Sequence, residues 1–482
     1  MSDDIRVRFA PSPTGYLHIG GVRTAIYNCL FARRHGGRFL LRIEDTDRER
    51  STPEAVAQIL DSLEWMDLLP DEEPVYQSQR SAIYRQYVER LLAAGLAYRC
   101  YCDPEQLEAK RQQAIADKRT YKYDRSCRDR DPNEDPAGRP HVIRFRNPDV
   151  HPEHFDDLIL GRLPIDEERL DDWILVRRDG SPTYNFCVVV DDADMGISHV
   201  IRGNDHVANT PKQIMLYQAL ELPVPRFAHM PLTHGPDGSK LSKRKEEQYR
   251  ELGISVSVQQ YRRMGYLPHA LLNYLTRLGW GHGDQEIFSR AELERAFDLD
   301  GVGKSASVMD PEKLKWINAH FIKETPDAEL AELLLPFLER RGLAAEPGAR
   351  LALICASLKE RAKTLDEMAE AARFYFEPPA EYEPKAVKKW WKDPAAEVLR
   401  RVRQEVERLD PAEQPEQLEE SFRALAEELA GGKLGKVAQP VRVALSGRAA
   451  TPSLFEVMAL LGREEVLARL DRAIGELDAR RG

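Results

Sequence analysis

Residues 8–21 constrain the fold of this chain more than any other segment. The stretch at residues 5–9 predicts a short strand, and two prolines just after it stop the strand from continuing. A His-x-Gly-Gly sequence at residues 18–21 then opens a predicted helix, whose unpaired N–H groups and positive dipole end favour an anion. His18 adds a hydrogen-bond donor, and a histidine side chain can be neutral or charged near neutral pH. The segment therefore predicts a strand–turn–helix that binds phosphate, although His18 alone could be an incidental turn residue.

A second candidate phosphate site lies in a loop far along the chain. Residues 233–239 are rich in glycine and other turn-forming residues, and Lys240-Leu-Ser-Lys243-Arg follows them. Lysines on a mobile loop suit a phosphate-bearing ligand, because they can close over it and stabilise negative charge that develops on it. Alone, the same residues could form an exposed basic loop.

Composition bounds the class of protein. The chain has 482 residues, for which about three domains is the length prior, and its 42% hydrophobic and 31% charged residues are typical of globular proteins. We find no apolar run long enough to span a bilayer and no signal peptide at the N-terminus, so no membrane partner is expected. Six cysteines in a chain this long do not suggest a disulfide scaffold, and a reducing cytoplasm is the expected location. Cys29, Cys187 and Cys355 are interpreted as core cysteines.

The net charge of −10 argues mildly against a nucleic-acid partner, since Lys and Arg bind phosphates. For binding, local patches of charge matter more than the net charge of the whole chain. Lysines surround Trp390 and Trp391, and Arg400, Arg401 and Arg403 follow, a mixture that suits unstacked bases and phosphates. A solvated helix face with two half-buried tryptophans is an equally good interpretation.

The order of elements predicts an α/β chain. Residues 5–43 read as a strand, a helix and a second strand, which is the doubly wound, Rossmann-like nucleotide-binding layout with a parallel sheet. Residues 186–190 are an apolar run, predicted as a buried parallel strand where this fold resumes. Beyond about residue 325 the chain reads as amphipathic helices. The predicted division is 1–99 for the first catalytic half, 100–185 for an inserted α+β domain, 186–250 for the second half, 251–324 for a mixed domain, and 325–482 for an all-α C-terminal half with two subdomains.

Strand ends supply candidate groups for an amino acid. Glu44 follows the second strand and could hold an ammonium group, while Arg8 and Arg202, at two other predicted strand ends, could hold a carboxylate through the two-pronged guanidinium. Surface ion pairs are the alternative for each. Asp191, Asp192 and Asp194 are interpreted as a polar strand end that caps loops, with no metal assigned.

These motifs resemble those of class I aminoacyl-tRNA synthetases. Residues 18–21 are similar to the first ATP-binding motif of that class, HIGH, with Gly21 in place of the final His, and residues 240–244 are similar to the second, KMSKS. The glutamyl branch tolerates Gly at that position. Together with the sequences around residues 8–15 and 42–47, and with residues 180–186 and 200–206, they resemble the glutamyl-tRNA synthetases along essentially the whole chain.

The resemblance implies residue roles. The implied glutamate-binding residues are Arg8, Ala10, Ser12, Glu44, Tyr184 and Arg202. The implied ATP-binding residues are His18, Gly20, Gly21, Asp205, His206, Lys240 and Lys243, with His18, Lys240 and Lys243 as the catalytic ones. Val188 stands where some members have a glutamate-contacting asparagine.

The resemblance also implies the reaction and the partners. Glutamate and ATP with Mg²⁺ would form glutamyl-adenylate, and the 3′ end of tRNA(Glu) would then accept the glutamate. Residues 100–185 would contact the acceptor end, residues 251–324 the stem, and residues 325–482 the anticodon, with Arg361 as a candidate base contact or, alternatively, a buried salt bridge. Asp191, Asp192 and Asp194 could touch that acceptor end instead of capping loops. A monomer is expected. The alternatives are an enzyme that also charges tRNA(Gln), and a non-catalytic tRNA-binding paralogue, which would lose charge at His18 or the loop lysines.

Three cysteines form the one candidate metal cluster. Cys100, Cys102 and Cys127 suit tetrahedral zinc, with Tyr123 or Asp129 as the fourth ligand. Some glutamyl-tRNA synthetases pair Cys-x-Cys with Tyr-x-x-x-Cys and others with Cys-x-His, and the absence of that His favours Tyr123. Three free thiols are the alternative.

Overall fold

A computed structural model of the chain describes residues 4–47, 50–131 and 138–480, without the side chains of Arg169 and Lys243. It divides into two compact units. Unit 1 comprises residues 1–261 and 271–311, and unit 2 comprises residues 262–270 and 312–482. Among the described residues, no helix combines the length and the apolar character needed to cross a bilayer.

The β-strands all lie in the first two thirds of the described chain. They are β1 (Arg6–Phe9), β2 (Arg38–Ile43), β3 (Val75–Tyr76), β4 (Ala97–Cys100), β5 (Val142–Phe145), β6 (His154–Asp157), β7 (Gly161–Pro164), β8 (Ile174–Val176), β9 (His199–Gly203), β10 (Arg226–Met230), β11 (Thr233–His234) and β12 (Ser307–Val308).

Ten α-helices of the described residues precede residue 300. They are α1 (Ile19–Arg34), α2 (Pro53–Trp65), α3 (Ser81–Ala93), α4 (Pro104–Ala116), α5 (Tyr184–Asp194), α6 (Thr210–Ala219), α7 (Glu246–Glu251), α8 (Val258–Arg263), α9 (Pro268–Arg277) and α10 (Arg290–Ala296).

The rest of the described chain is almost wholly helical. Its helices are α11 (Pro311–Glu324), α12 (Asp327–Glu339), α13 (Ala349–Leu358), α14 (Leu365–Ala372), α15 (Pro384–Trp390), α16 (Ala395–Arg408), α17 (Pro415–Ala430), α18 (Leu434–Ser446), α19 (Leu454–Leu461) and α20 (Arg463–Ala479). The predicted α/β N-terminal region and helical C-terminal half are confirmed.

Parallel strands organise unit 1. β1 pairs with β2 and β2 with β3, and β10 pairs with both β9 and β6, each time in parallel. The backbone N–H of Ser198, just before β9, donates to the carbonyl of Arg6 at 2.9 Å, so β9 and β1 lie side by side. The carboxyl ends of β1, β2 and β9 therefore meet at one edge, where ligands bind in open parallel sheets.

The segment predicted as an insertion contributes to two sheets. β5 and β8 lie in it, and β5 pairs antiparallel with both β4 and β8 in a three-stranded sheet. The hairpin of β6 and β7 also lies in it. β6 pairs in parallel with β10, and β10 in turn pairs with β9 on its other side. One part of the segment thus completes the sheet that carries the ligand-binding edge.

The prediction of a strand at residues 186–190 was wrong, because these residues form the middle of helix α5. All five are buried, with phenylalanine, cysteine and three valines packed on every side. A short, fully buried apolar run has neither the alternation of a half-buried strand nor the stripe of an amphipathic helix, so periodicity cannot distinguish the two.

Candidate active site

A cavity of about 690 Å³ opens at the carboxyl ends of β1, β2 and β9, beside the N-terminus of α1. Its lining contains every residue predicted for ATP or glutamate except Lys243, whose side chain lies outside the described residues. These lining residues are Arg8, Ala10, Ser12, His18, Gly20, Gly21, Glu44, Tyr184, Arg202, Asp205, His206 and Lys240. Groups that are distant in sequence thus share one cavity.

His18 occupies the N-cap of α1. Its Nδ1 accepts a hydrogen bond from the backbone N–H of Gly20 at 3.0 Å, which satisfies one of the first N–H groups of the helix. An imidazole that accepts at Nδ1 carries its neutral-form proton on Nε2. Gly15, in the turn before it, has φ of +126°, a conformation that glycine adopts without steric cost. The turn therefore fixes both the position and the tautomer of His18.

The lysine loop is anchored beside this turn. The carboxylate of Asp237 accepts from the backbone N–H of Ser239 at 3.0 Å and pairs with Nζ of Lys245 at 2.7 Å. Leu241 is buried and holds the loop to unit 1, while Nζ of Lys240 lies 3.4 Å from Oδ2 of Asp205 across the cavity. Exposed pairs of this kind contribute little stability, so Lys240 can exchange Asp205 for an anionic ligand at low cost.

A buried ion network supports the amino-acid end of the cavity. Asp192 on α5 accepts from Nε and Nη2 of Arg8 at 3.0 and 3.2 Å and from Nη1 of Arg42 at 2.5 Å. Nη2 of Arg42 reaches Glu44 at 3.2 Å. Burial works to raise the pKa of Asp192, but Arg42 and Arg8 outweigh it and hold that pKa below its usual range. Burial raises the pKa of Glu44 against the opposing effect of the same two arginines.

The interpretation of Asp191 and Asp192 as loop caps or tRNA contacts was wrong, because both are buried on a helix. Asp191 accepts from Nε of Arg80 at 2.7 Å, from Nε2 of Gln77 at 2.7 Å and from the hydroxyl of Tyr84. Asp194, on the exposed side of α5, pairs with Nη2 of Arg80 at 2.6 Å. Buried carboxylates need such partners because isolated charges are costly to desolvate.

Arg202 is held by neutral groups. Its Nε donates to Nε2 of His229 at 3.1 Å, and its Nη2 donates to the hydroxyl of Thr210 at 2.8 Å. Nη1 is buried and, among the described residues, has no hydrogen-bond partner. Burial lowers the pKa of Arg202, and the Arg8 charge adds to this effect. A buried guanidinium with an unsatisfied donor at a cavity wall is suited to bind a carboxylate.

Tyr184 and His206 face each other across the cavity mouth. The hydroxyl of Tyr184 lies 3.1 Å from Nδ1 of His206. Burial, reinforced by the charge of Arg202, lowers the pKa of His206 to about 4, so its imidazole is neutral at physiological pH. Val188 is buried on α5 and does not belong to the described lining of the cavity.

The sequence interpretation missed several supporting residues. Arg42, Thr210, Asp157 and His229 are buried around the cavity groups. Arg42 stands in the segment 42–47 but had no role assigned to it, and the other three stand in no motif. The Asp191–Asp192 pair did attract attention, but its partners are distant in sequence. If residues 184–194 had been recognised as a buried helix, the two aspartates would have been expected to need buried partners.

The cysteine cluster forms in unit 1 as predicted. The sulfurs of Cys100, Cys102 and Cys127 lie within 4.8 Å of one another, and the hydroxyl of Tyr123 is 3.3 Å from the first two. Sulfur ligands of tetrahedral zinc lie about 3.8 Å apart. The donor set therefore fits a structural zinc with Tyr123 as the fourth group.

Asp129 is not part of this cluster, and its carboxylate accepts from Nη1 of Arg146 at 3.0 Å. The guanidinium of Arg144 lies 3.7 Å from the centre of the Tyr123 ring, where it adds positive charge beside the thiols. The remaining cysteines, Cys29, Cys187 and Cys355, are buried free thiols, as predicted.

In unit 2, the tryptophans and arginines that suggested a nucleic-acid surface contact other parts of the protein. Trp391 is buried in the helical core and donates to the carbonyl of Pro440 at 3.2 Å, so it does not stack on a base. Trp390 packs partly against the same core. Arg400, Arg401 and Arg403 pair with carboxylates of neighbouring helices, in each case at an exposed position.

Arg361 is exposed and donates to the carbonyl of Thr451 at 2.5 Å. The alternative of a buried salt bridge was therefore wrong. Its predicted contact with a base stays a prediction.

The comparisons with known proteins agree along the whole chain. The sequence model described as "tRNA synthetases class I (E and Q), catalytic domain" matches residues 4–316, and that described as "Anticodon binding domain" matches residues 329–474. The chain is 50% identical over 477 residues to a glutamate--tRNA ligase of Geobacter sulfurreducens, covering 98% of this chain and 99% of that protein. It is 51% identical over 473 residues to one of Trichlorobacter lovleyi, covering 98% of each.

A solved structure has the same fold. The crystal structure of a glutamate tRNA ligase from Elizabethkingia meningosepticum, in complex with its amino acid, is 34% identical to this chain and superposes with a TM-score of 0.87. The match covers 98% of this chain and 100% of that one.

Proposed function

The chain belongs to the class I tRNA synthetases of the glutamate and glutamine type, and on this premise we propose that it joins L-glutamate to the 3′ end of tRNA(Glu) at the expense of ATP. The observation that carries the proposal is the single cavity that unites a phosphate-binding turn, a lysine loop and two buried arginines. ATP enters as its Mg²⁺ complex. The reaction needs one anion-binding end and one amino-acid end, and the residues that line the cavity support both assignments.

The turn at the start of α1 would bind the phosphates of ATP. The positive dipole end of α1 favours an anion, and the Nε2–H of His18 adds a donor beside it. Lys240 reaches into the same space from the loop, and Lys243 would join it. Gly20 and Gly21 keep this end free of side chains, while Asp205 and His206 are proposed contacts for the nucleoside.

The opposite end would bind glutamate. Glu44 is proposed to receive the α-ammonium group, with Ala10 and Ser12 lining the same wall. Arg202 would bind a carboxylate through Nη1, with Arg8 and the hydroxyl of Tyr184 close by. A charged, desolvated guanidinium favours a carboxylate over an amide, because the ionic hydrogen bond is the stronger one.

The chemistry would proceed mainly through positioning and electrostatics. The α-carboxylate of glutamate attacks the α-phosphorus of ATP, and the bond to the β-phosphate oxygen breaks to release pyrophosphate. His18, Lys240 and Lys243 stabilise the negative charge that moves onto the leaving group. The 2′-hydroxyl of the terminal adenosine of tRNA then attacks the acyl carbon, and AMP departs.

The remaining segments are proposed to bind tRNA. Residues 100–185 would contact the acceptor end, residues 251–324 the stem, and residues 325–482 the anticodon, where the match to the anticodon-binding family supports the assignment. The cysteine cluster would hold a structural zinc that stiffens the acceptor-end segment, as its three thiols and Tyr123 suit. We propose a cytoplasmic monomer.

Aminoacylation with separate tRNAs tests the function. Purified protein with ATP, Mg²⁺ and labelled glutamate should charge tRNA(Glu), and no charging of either tRNA would overturn the proposal in favour of a non-catalytic paralogue. Charging of tRNA(Gln) with glutamate as well would identify a non-discriminating enzyme. Pyrophosphate exchange with and without tRNA shows whether activation needs it.

A further inference from the structure

His229 links the cavity to a buried carboxylate behind it. On β10, its Nδ1 lies 2.6 Å from Oδ2 of Asp157, at the end of β6, and its Nε2 lies 3.1 Å from Nε of Arg202 on β9. Asp157 and His229 are both buried. The three residues sit on three adjacent strands of one sheet, so the chain of hydrogen bonds runs across the sheet.

The donor properties of arginine fix the proton on His229. A guanidinium only donates, so Nε2 of His229 must present its lone pair to Arg202. The proton of the neutral imidazole therefore lies on Nδ1 and is donated to the carboxylate of Asp157. Asp157 is itself held by the backbone N–H groups of Ile159 and Leu160, at 3.0 and 2.8 Å. Burial keeps His229 neutral by lowering its pKa.

The two site arginines differ in how their charge is balanced. Arg8 donates two hydrogen bonds, from Nε and Nη2, to the carboxylate of Asp192. Arg202 has no carboxylate within ion-pair distance among the described residues, and its partners are a neutral imidazole, a hydroxyl and a backbone carbonyl. Its side chain is thus oriented without being neutralised.

We propose that His229 is a positioning residue, which orients the guanidinium of Arg202 through Nε2 and leaves its charge available for the glutamate carboxylate. This inference rests on the proposed function, because it assigns glutamate to Arg202. Asp157 acts behind it by selecting the tautomer. A carboxylate in place of the imidazole would hold Arg202 equally well, but it would compete with the substrate for the same charge.

Three substitutions separate positioning from simple packing. His229→Leu removes both hydrogen bonds at similar volume. His229→Asn keeps a donor at the position of Nδ1, toward Asp157, and loses the acceptor toward Arg202. His229→Gln keeps an acceptor at the level of Nε2. A structural role would make Asn the better replacement, whereas a positioning role would make Gln the better one.

His199→Leu is the matched control. His199 is also buried, begins the neighbouring strand β9 and contacts Ser198 and Phe31 rather than Arg202. Its substitution removes an imidazole from the same sheet without touching the cavity. Thermal unfolding of all four full-length variants reports how far each loses stability.

Steady-state aminoacylation gives the deciding measurement. Leu and Asn at position 229 should raise KM for glutamate about ten- to a hundredfold, the effect of losing a hydrogen bond to a charged group, while KM for ATP changes less than about threefold. Gln should stay within about threefold of the unsubstituted protein, as should the His199 control.

Two results would overturn the inference. One is a glutamate KM for His229→Leu equal to that of the unsubstituted protein, and the other is a Gln variant as impaired as the Leu variant. If the unsubstituted protein charges no tRNA at all, it is the proposed function that fails instead.

Discussion

The carboxylate of Asp192 binds the guanidinium of Arg8 through two parallel hydrogen bonds, at 3.0 and 3.2 Å, and both side chains are almost completely buried. Such a fork-to-fork pair fixes the plane of the guanidinium as well as its position. Arg42 reaches the same carboxylate from β2. One buried aspartate on α5 therefore joins the cavity arginine to the strand that ends just before Glu44.

Asp192→Asn should destabilise the fold strongly. Removing one partner leaves Arg8 and Arg42 buried with less compensation, and breaking a buried pair typically costs about 3–5 kcal/mol. Urea denaturation at pH 7 measures the free energy of unfolding. Asp194→Asn is the control, because the Asp194 carboxylate is exposed and its pair with Arg80 should be worth less than about 1 kcal/mol. Equal losses in the two variants would contradict the importance of the buried network.

Lys243→Ala should slow adenylate formation with little change in glutamate affinity. The lysine would stabilise charge that develops on pyrophosphate, and the loss of one such group typically lowers the rate about a hundredfold or more. Pyrophosphate exchange, with tRNA present, measures the step. Arg250→Ala, on the exposed side of α7, is the control and should exchange normally. An unchanged rate in Lys243→Ala would remove this residue from the mechanism.

The cysteine cluster should carry one zinc ion per chain. Metal analysis of purified protein gives the stoichiometry, and Cys102→Ser or Tyr123→Phe should lower it because each removes a proposed ligand. Cys355→Ser, a buried thiol in unit 2, should leave the metal content unchanged. If the purified protein contains no zinc and chelator treatment leaves its melting temperature unchanged, three free thiols are the better interpretation of the cluster.

His199 should make the fold less stable in acid. Burial, with a smaller effect of Arg226 and His35, lowers its pKa to about 4 from an ordinary 6.5. Between these values the unfolded chain binds a proton that the folded chain does not, so stability falls as pH falls from 6.5 to 4. The effect amounts to roughly 3 kcal/mol across that window.

Urea denaturation between pH 4 and 7 tests this dependence. His199→Gln should flatten the slope relative to the unsubstituted protein, while substitution of the exposed His154 should not. Identical slopes in the His199 variant and the unsubstituted protein would contradict the assignment.

Local sequence was sufficient for the phosphate-binding turn and for most elements near it. Proline, glycine and histidine at residues 11–21 restrict the backbone directly, and the strand–helix–strand unit from Arg6 to Ile43 is as predicted. The end of a parallel strand is also a local property, which is why Glu44 and Arg202 could be selected.

The buried residues that hold these cavity residues in place could not be predicted in the same way. Asp157 and His229 are 72 residues apart, and neither belongs to a motif that marks it as a partner of the other. Asp192 was misread because α5 was taken for a strand, and a strand end faces a different environment from the middle of a buried helix. Tertiary pairing of buried charges is set by which elements pack together, and composition does not carry that information.

The placement of β6 beside β10 bears on how this family could be dissected. A deletion of residues 100–185 would leave the sheet without the strand that covers β10, and it would remove the carboxylate behind His229. The exposed edge of β10 would then be open to pairing with other chains. A catalytic fragment from which most of this segment is removed should therefore keep β6 and β7, joined to the rest of the chain by a short linker, if it is to fold as a monomer.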